Sequence, residues 1–207
     1  MYYFIHKMNN AIFGKGKEKI VECFYKNRSK PLYFSEILRD TKLTPNTTLK
    51  HLKALQENNL IISNKTIGNT FYRINPKNPQ VYSLFSYFDY KKLNELPSTR
   101  KRAITEFLDK LSKKSLISLI FGSTAKGNFN KESDIDVLLV YNEKELEDKK
   151  LKSEIESTTG EAIQTFIISL DYLKEQILKQ EDKVITHAIK TGFLMEGHYL
   201  FYKETLK

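Results

Sequence analysis

The sequence of 207 residues contains a single cysteine, only four histidines and no long hydrophobic run. Cys23 cannot form a disulfide within one chain, and neither the lone thiol nor the scattered histidines provide the paired spacing of a zinc site. No apolar stretch approaches the roughly 18 residues of a membrane span. The opening MYYFIHKMNN is too short and too polar for a signal peptide. We therefore expect a cytoplasmic protein with no membrane partner.

Glycine and proline are also sparse, with 8 and 5 copies, while 40% of the residues are hydrophobic. This composition excludes collagenous, low-complexity and disordered chains. The net charge of +9 is unevenly distributed, because residues 1–97 carry 13 Lys, 3 Arg and 7 acidic residues, whereas residues 98–207 carry 18 basic and 18 acidic residues. A basic half joined to a neutral half predicts that the first half binds a polyanion.

Two proline-containing breaks divide the chain, one in the segment INPKNP at residues 74–79 and the other at Pro97. We predict a first domain at 1–75, a connecting helix at 76–97 that ends before Pro97, and a second domain at 98–207 whose first helix is capped by Ser98. The connecting segment is rich in aromatic residues, which need a second surface to cover them. A dimer partner is one such surface, and we expect a homodimer.

The basic half has the pattern of three helices followed by a β-hairpin. Apolar spacing predicts helices at 12–29, with Ile12 and Phe13 in its buried stripe, and at 34–40. A third helix begins with Thr44 as N-cap and Pro45 at its first position, and Leu49, Leu52 and Leu55 mark its buried stripe. Strand-like runs at 60–62 and 70–74 surround a turn that contains Gly68, which predicts a hairpin.

The stretch TPNTTLKHLKALQENNLI, followed by IGNTFYRIN, resembles the winged helix-turn-helix domains of prokaryotic transcription regulators. The resemblance implies double-stranded DNA as a partner, with the third helix in the major groove and the hairpin as the wing. Asn46, Thr47 and Lys50 would then contact base edges or phosphates, and Lys65 and Arg73 would contact phosphates. The alternatives are that these side chains form an ordinary solvated surface or that the domain docks a protein.

In the second half, two short apolar runs are each joined to polar residues that could bind a metal ion or a phosphate. LISLIF runs directly into GSTAKG at 122–127, and SDID at 133–136 leads into VLLVY. Two aspartates at positions i and i+2 of an extended segment project to the same side, so Asp134 and Asp136 repel each other unless a cation lies beside them. Magnesium suits such a pair and leaves coordination positions for phosphate oxygens. Gly122 has no side chain to obstruct a phosphate, and Lys126 could add positive charge.

The stretch FGSTAKGNFNKESDIDVLLV resembles the signature of the nucleotidyltransferase superfamily with a polymerase-β-like fold, in its minimal form. The resemblance implies that Gly122, Ser123 and Lys126 hold a nucleoside triphosphate, most simply ATP, and that Asp134 and Asp136 hold Mg²⁺ for catalysis. Ser133 would orient the turn that leads into Asp134, by capping it or by hydrogen bonding to phosphate. It also permits a protein acceptor, since small members of this family include antitoxins that modify a partner toxin. The expected fold class is α+β, with a mixed sheet in the second domain.

The sequence departs from this family where a later strand usually supplies a third carboxylate. That strand is predicted at 162–168, and the matching position is Gln164, while Glu161 lies earlier and on the opposite face. A further helix at 183–190, with Val184 on its buried side, precedes a strand and a hairpin at Gly197. Two functions remain open. One is a DNA-binding protein that transfers an adenylyl group slowly, and the other is a transcription regulator whose second domain only binds nucleotide or scaffolds a dimer.

Overall fold

In the computed structural model, residues 2–143 and 145–206 are described, with side chains from Gly14 onward. The chain divides into two compact units, Met1–Phe88 with Leu206–Lys207, and Asp89–Thr205. The division falls inside a helix, Gln80–Glu95 (α4). The predicted Ile12 and Phe13 side chains lie outside the described part of the chain. Within that part, no helix is both long enough and apolar enough to cross a membrane.

The first unit contains three helices before α4, namely Tyr2–Lys26 (α1), Phe34–Thr41 (α2) and Pro45–Glu57 (α3). α1 has a non-helical residue at Gly14, with φ of 58°. The start of α3 is as predicted, because the Thr44 side chain accepts a hydrogen bond from the backbone N–H of Thr47 and Pro45 occupies the first turn.

The buried stripe of α3 differs by one position from the predicted one. Leu52 and Leu55 are 1% exposed, as expected, but Leu49 is 50% exposed and Thr48 is fully buried in its place. Thr48, Leu52 and Leu55 follow the i, i+4, i+7 spacing of one helix face. The Thr48 hydroxyl is satisfied by the carbonyl of Thr44, so its burial leaves no unpaired polar group. Leu49 therefore lies on the polar surface of the helix.

The predicted hairpin is present and is longer than predicted. Its strands are Ile61–Thr66 (β2) and Asn69–Ile74 (β3), and Gly68 in the turn has φ of 85°, which favours glycine. A two-residue strand that the sequence analysis missed, Leu32–Tyr33 (β1), pairs with β3 to give an antiparallel sheet in the order β1-β3-β2. Leu32, Ile61 and Ile74 are buried on one face of this sheet.

The aromatic residues at the start of α4 are covered within the first unit. Phe85 and Phe88 are buried and contact the ring of Tyr25 on α1, with ring centroids 5.4 and 5.3 Å apart. Tyr82 is 8% exposed and donates a hydrogen bond to the carbonyl of Pro76. These side chains therefore do not need a second copy of the chain to cover them.

The second unit is built on a four-stranded sheet in the order β6-β5-β4-β7. Its strands are Ile117–Phe121 (β4), Ile135–Tyr141 (β5), Ile163–Ser169 (β6) and Phe193–Glu196 (β7). β5 and β6 are parallel and the other pairs are antiparallel, so the sheet is mixed, as predicted. The helices are Ser98–Lys110 (α5), Gly122–Lys126 (α6), Lys149–Thr159 (α7), Leu170–Lys179 (α8), Lys183–Thr191 (α9) and His198–Thr205 (α10).

One face of the sheet packs against α5 and α7 to form the core of this unit. Val137 and Leu139 of β5 meet Ile104 and Phe107 of α5 and Ile155 of α7, all at most 1% exposed. β4 and β5 are buried over nearly their whole length, which explains why both appear in the sequence as continuous apolar runs.

Three local predictions for this unit are wrong. Ser98 does not cap α5, because Pro97 holds the N-cap position without a side-chain hydrogen bond. Val184 is 43% exposed, and Ile185 and Ala188 form the buried side of α9. Gly197 leads into α10 instead of a hairpin. A Cβ atom on Gly197 would overlap the carbonyl oxygen of Leu116, so the close approach of β4 requires glycine there.

Candidate functional site

The two halves of the sequence motif meet where β4 ends beside β5. Phe121 is the register partner of Asp136, so Gly122, the next residue after Phe121, lies directly against the Asp136 side chain. The contact is close enough that a Cβ atom on Gly122 would overlap Oδ2 of Asp136. Gly122 also has φ of 66°, a backbone conformation that side-chain-bearing residues rarely adopt. Sheet register and glycine together bring the Asp136 carboxylate onto the backbone of the Gly-Ser segment.

The Gly-Ser segment begins a short helix, α6, directly after β4. Ser123 is half-buried and Lys126 is exposed at its last position. Lys92 of α4 donates a hydrogen bond of 2.6 Å to the carbonyl of Ala125 and so supports the end of α6. On α9, burial and the positive charge of Lys126 lower the pKa of His187, which places this histidine in the electrostatic range of Lys126.

Asp134 is exposed and Asp136 is half-buried, and among the described residues neither carboxylate has a hydrogen-bond or ion-pair partner. Burial, and after it the negative charge of Asp134, raise the pKa of Asp136. Two acidic groups that lack a cationic partner among the described residues, with the charge of Asp134 raising the pKa of Asp136, form a donor set that a hard divalent cation would stabilise. The residues present therefore fit a magnesium ion held by Asp134 and Asp136.

Ser133 is used within its own loop. Its hydroxyl accepts a hydrogen bond from the backbone N–H of Asn130 and donates one to the Asn130 side chain, at 3.0 and 2.9 Å. These bonds close the loop immediately before Asp134. The Ser133 hydroxyl is therefore engaged by Asn130 within this loop.

The structure places Gln164 beside Asp136, as the sequence predicted. The two residues are register partners on the parallel strands β5 and β6, and Gln164 is exposed. Glu161 does not supply a third carboxylate beside Asp136. Its carboxylate forms an ion pair with Arg100 at 2.6 Å and accepts a hydrogen bond from Thr99. Within the described residues, no group of three or more His, Cys, Asp or Glu side chains could hold a metal. The site therefore offers two carboxylates and a neutral amide.

Arg100 is a residue of this region that the sequence analysis missed. It is 1% exposed and its guanidinium contacts residues from three separate segments around the site. A lone arginine in an amphipathic helix carries no motif of its own, so only the contacts of the folded chain identify it. The one signal in the sequence was its position on the predicted helix that leads into β4.

In the first unit, the five residues predicted to bind DNA lie in different settings. Asn46 and Lys50 are exposed on α3, whereas Thr47 is half-buried and its hydroxyl accepts a hydrogen bond from the Thr44 cap. Lys65 and Arg73 are exposed but lie on opposite faces of the hairpin, because Lys65 is paired with Thr70 and Arg73 with Ile62. The exposed Leu49 lies between Asn46 and Lys50 on the same helix face.

One family model matches part of the second unit. Residues 101–194 match the family model described as "Nucleotidyltransferase domain". This segment contains Gly122, Ser123, Asp134 and Asp136, and domains of the matched class typically use nucleoside triphosphates and divalent metals. The match supports nucleotidyl transfer in general. Neither the curated proteins nor the solved structures gave a match to this chain.

Proposed function

We propose that residues 98–207 bind a nucleoside triphosphate with Mg²⁺ and transfer its nucleotidyl group, most simply adenylyl from ATP, to a hydroxyl acceptor. The acceptor oxygen bonds to the α-phosphorus as the bond to pyrophosphate breaks, so pyrophosphate leaves and the hydroxyl proton passes to solvent. The observation that carries this proposal is the placement of the Asp136 carboxylate, which has no partner in the described part of the chain, against the backbone of Gly122, with Asp134 two residues away. The nucleotidyltransferase match over residues 101–194 supports the same chemistry.

Each residue of the site has a distinct part in this proposal. Asp134 and Asp136 would hold Mg²⁺, which when bound supplies a positive charge that neutralises phosphate oxygens. Gly122 leaves its backbone open to a phosphate, and the half-buried Ser123 can offer its hydroxyl. The exposed Lys126 would balance negative charge on the triphosphate. Together these residues orient the ligand so that the acceptor hydroxyl meets the α-phosphorus.

A second candidate function is nucleotide binding without transfer, in a regulator of transcription. The observation that favours it is the register pairing of Asp136 with Gln164, because an amide cannot take a proton from the acceptor hydroxyl. Glu161 does not replace the missing carboxylate, since Arg100 and Thr99 hold it. We propose slow transfer as the first function and nucleotide sensing as its alternative.

Incubation with labelled ATP, Mg²⁺ and cell extract tests the two candidates, alongside a thermal-shift titration with Mg²⁺ and ATP. A ligand that binds the native state raises Tm. At a ligand concentration of 100 times Kd it adds about 2.7 kcal/mol to the free energy of unfolding. We expect such a shift in the wild type and none in the double variant D134A/D136A. Label that reaches a defined acceptor, and is lost in the double variant, supports transfer. A Tm shift without label transfer supports the sensor.

An unchanged shift in D134A/D136A would contradict the site itself. The control is D171A/D182A, which removes two acidic residues at the starts of α8 and α9. The control lowers stability because Asp182 caps α9. The Mg²⁺–ATP shift, measured relative to each variant's own Tm, is expected to survive in it.

For the first unit we propose binding to double-stranded DNA. Three helices followed by a hairpin on a three-stranded sheet support a winged helix-turn-helix arrangement, and the excess positive charge of residues 1–97 supports a polyanionic partner. Asn46, Thr47, Lys50, Lys65 and Arg73 are the proposed contacts. We further propose that the chain acts as a homodimer in the cytoplasm, and that its acceptor is a protein, such as a toxin partner.

A further inference from the structure

The guanidinium of Arg100 joins three segments that are far apart in the sequence. Its Nη1 donates a hydrogen bond of 3.1 Å to the hydroxyl of Thr124 in α6. Its Nη2 donates one of 2.6 Å to the carbonyl of Ser133, the residue before Asp134. Its Nε donates one of 2.8 Å to Glu161, which precedes β6.

The surroundings of Arg100 restrict its position further. The guanidinium lies over the ring of Phe129 at 4.2 Å from the centroid, inside the loop that joins α6 to β5. Glu161 is held from its other side by Thr99, whose hydroxyl lies 3.1 Å from the carboxylate. A buried, planar guanidinium with several fixed acceptors has one favourable orientation, so each of these groups is tied to the others.

These contacts link the two halves of the proposed ligand site. Thr124 follows Gly122 and Ser123, the proposed phosphate contacts, and the Ser133 carbonyl is one residue from the metal-binding carboxylate of Asp134. A shift of one half relative to the other would therefore have to break a hydrogen bond to a buried charge. Replacing a buried ion pair by apolar residues often costs little stability, so stability alone does not require this arrangement.

We propose that Arg100 is a positioning residue that fixes the spacing between the phosphate-binding and metal-binding halves of the site, with Glu161 as its counter-ion and not as a metal ligand. This inference rests on the proposed function of the second unit. It does not come from the nucleotidyltransferase match, which begins at Lys101.

The test is the Kd of the full-length protein for Mn²⁺ in the presence of ATP, measured by electron paramagnetic resonance. R100K keeps the positive charge but loses the planar guanidinium and its several donors. We expect it to raise this Kd about 10- to 100-fold, the usual effect of removing a residue that orients metal ligands. E161Q should also raise the Kd for Mn²⁺. The double variant R100K/E161Q should raise it by much less than the product of the two single effects, because both residues act through one pair.

Two controls separate positioning from stability. R102K lies on the same helix in an exposed ion pair with Glu106 and should keep the wild-type Kd. I104V weakens the core under the same helix, so it should lower Tm and leave the Kd unchanged. Should R100K fail to fold, T124V removes one hydrogen bond with little change of shape, and a 3- to 10-fold rise in Kd, roughly the value of one hydrogen bond, is expected.

The outcomes are distinct. A wild-type Kd in R100K, or in T124V where R100K does not fold, overturns the positioning role and leaves the metal site standing. Multiplicative effects of R100K and E161Q overturn the assignment of Glu161 as the counter-ion. A wild-type protein that binds no Mn²⁺ with ATP overturns both the proposed function and this inference.

Discussion

At the scale of single residues, the feature that matters most is a pair of carboxylates without a compensating cation. Among the described residues, Asp134 and Asp136 have no basic partner, and burial with the charge of Asp134 raises the pKa of Asp136. Several other acidic side chains have a basic partner. Glu36 and Glu147, for example, are each bonded to a lysine that lowers the pKa of the acid. The site thus keeps two acidic groups in an arrangement that favours a ligand over stability.

This environment predicts a specific dependence of stability on pH. Because folding raises the pKa of Asp136, the folded state binds this proton more tightly than the unfolded state does. The stability that protonated Asp136 contributes is complete below the usual pKa of aspartate, about 3.9. This stability is lost as the pH rises through the raised pKa of Asp136. Without divalent cations, D136N should therefore gain in Tm relative to the wild type as the pH rises from 3 to 7.

Thermal melts of both proteins across that pH range measure this effect. D134N is the matched companion, since removing the Asp134 charge should weaken the pH dependence without abolishing it, because burial is the larger cause. A difference in Tm between the wild type and D136N that does not vary with pH would contradict the raised pKa.

At the scale of elements, the site depends on how a short helix follows a buried strand. Gly122 begins α6 with a left-handed backbone and has the Asp136 carboxylate where a side chain would be. At the other end of the same helix, Gly127 also has a positive φ, of 74°, but among the described residues, its chain neighbours aside, no atom lies within 4 Å of where a Cβ atom would be. Both glycines therefore have a backbone conformation that disfavours other residues, but Gly122 also contacts the Asp136 carboxylate closely.

This pair permits a controlled experiment. G122A should lower the free energy of unfolding by at least the 1–2 kcal/mol or so of a left-handed non-glycine residue, and it should abolish the Tm shift caused by Mg²⁺ and ATP because the Asp136 carboxylate is displaced. G127A should show a similar backbone cost and keep the ligand shift. Calorimetry with and without ligand distinguishes the two, and a preserved shift in G122A would show that close approach at Gly122 is not needed for binding.

At the scale of the whole molecule, charge is separated between the halves of the chain. Residues 98–207 are neutral overall, so the net charge of +9 belongs to residues 1–97. Lys65 lies on the face of the hairpin that packs against α3, and Arg73 lies on the opposite face. A DNA backbone on the α3 side of the sheet would lie closer to Lys65 than to Arg73, so we expect Lys65 to make the stronger phosphate contact.

Fluorescence anisotropy with a DNA duplex across a range of salt concentrations tests this arrangement. Each phosphate contact contributes about −0.9 to the slope of log K against log salt. We expect K50Q and K65Q each to reduce the steepness by about that amount, R73Q to change it less, and K183Q in the neutral half to change nothing. A slope near zero for the wild type would contradict DNA binding by this unit.

Much of the second unit follows from local patterns in the sequence. The apolar runs of β4 and β5 are buried strands, and the glycine, serine and aspartates at their ends are adjacent because the strands pair. The resemblance to the nucleotidyltransferase superfamily predicts Gln164 at the position of the third carboxylate, and the structure pairs Gln164 with Asp136. The buried strands themselves depend on residues close in sequence, whose period determines local structure, whereas the adjacency of their ends depends on strand pairing.

Other features were decided only by tertiary contacts. Which leucine of α3 is buried depends on where neighbouring elements pack, and the structure buries Thr48 and exposes Leu49. β1 exists because β3 lies beside it, and Gly197 leads into α10. The clearest case is Arg100, which meets Thr124, Ser133 and Glu161 across as many as 61 residues of chain. Its sequence neighbours contain no sign of these partners, because a buried charge is satisfied by whatever acceptors the fold brings to it.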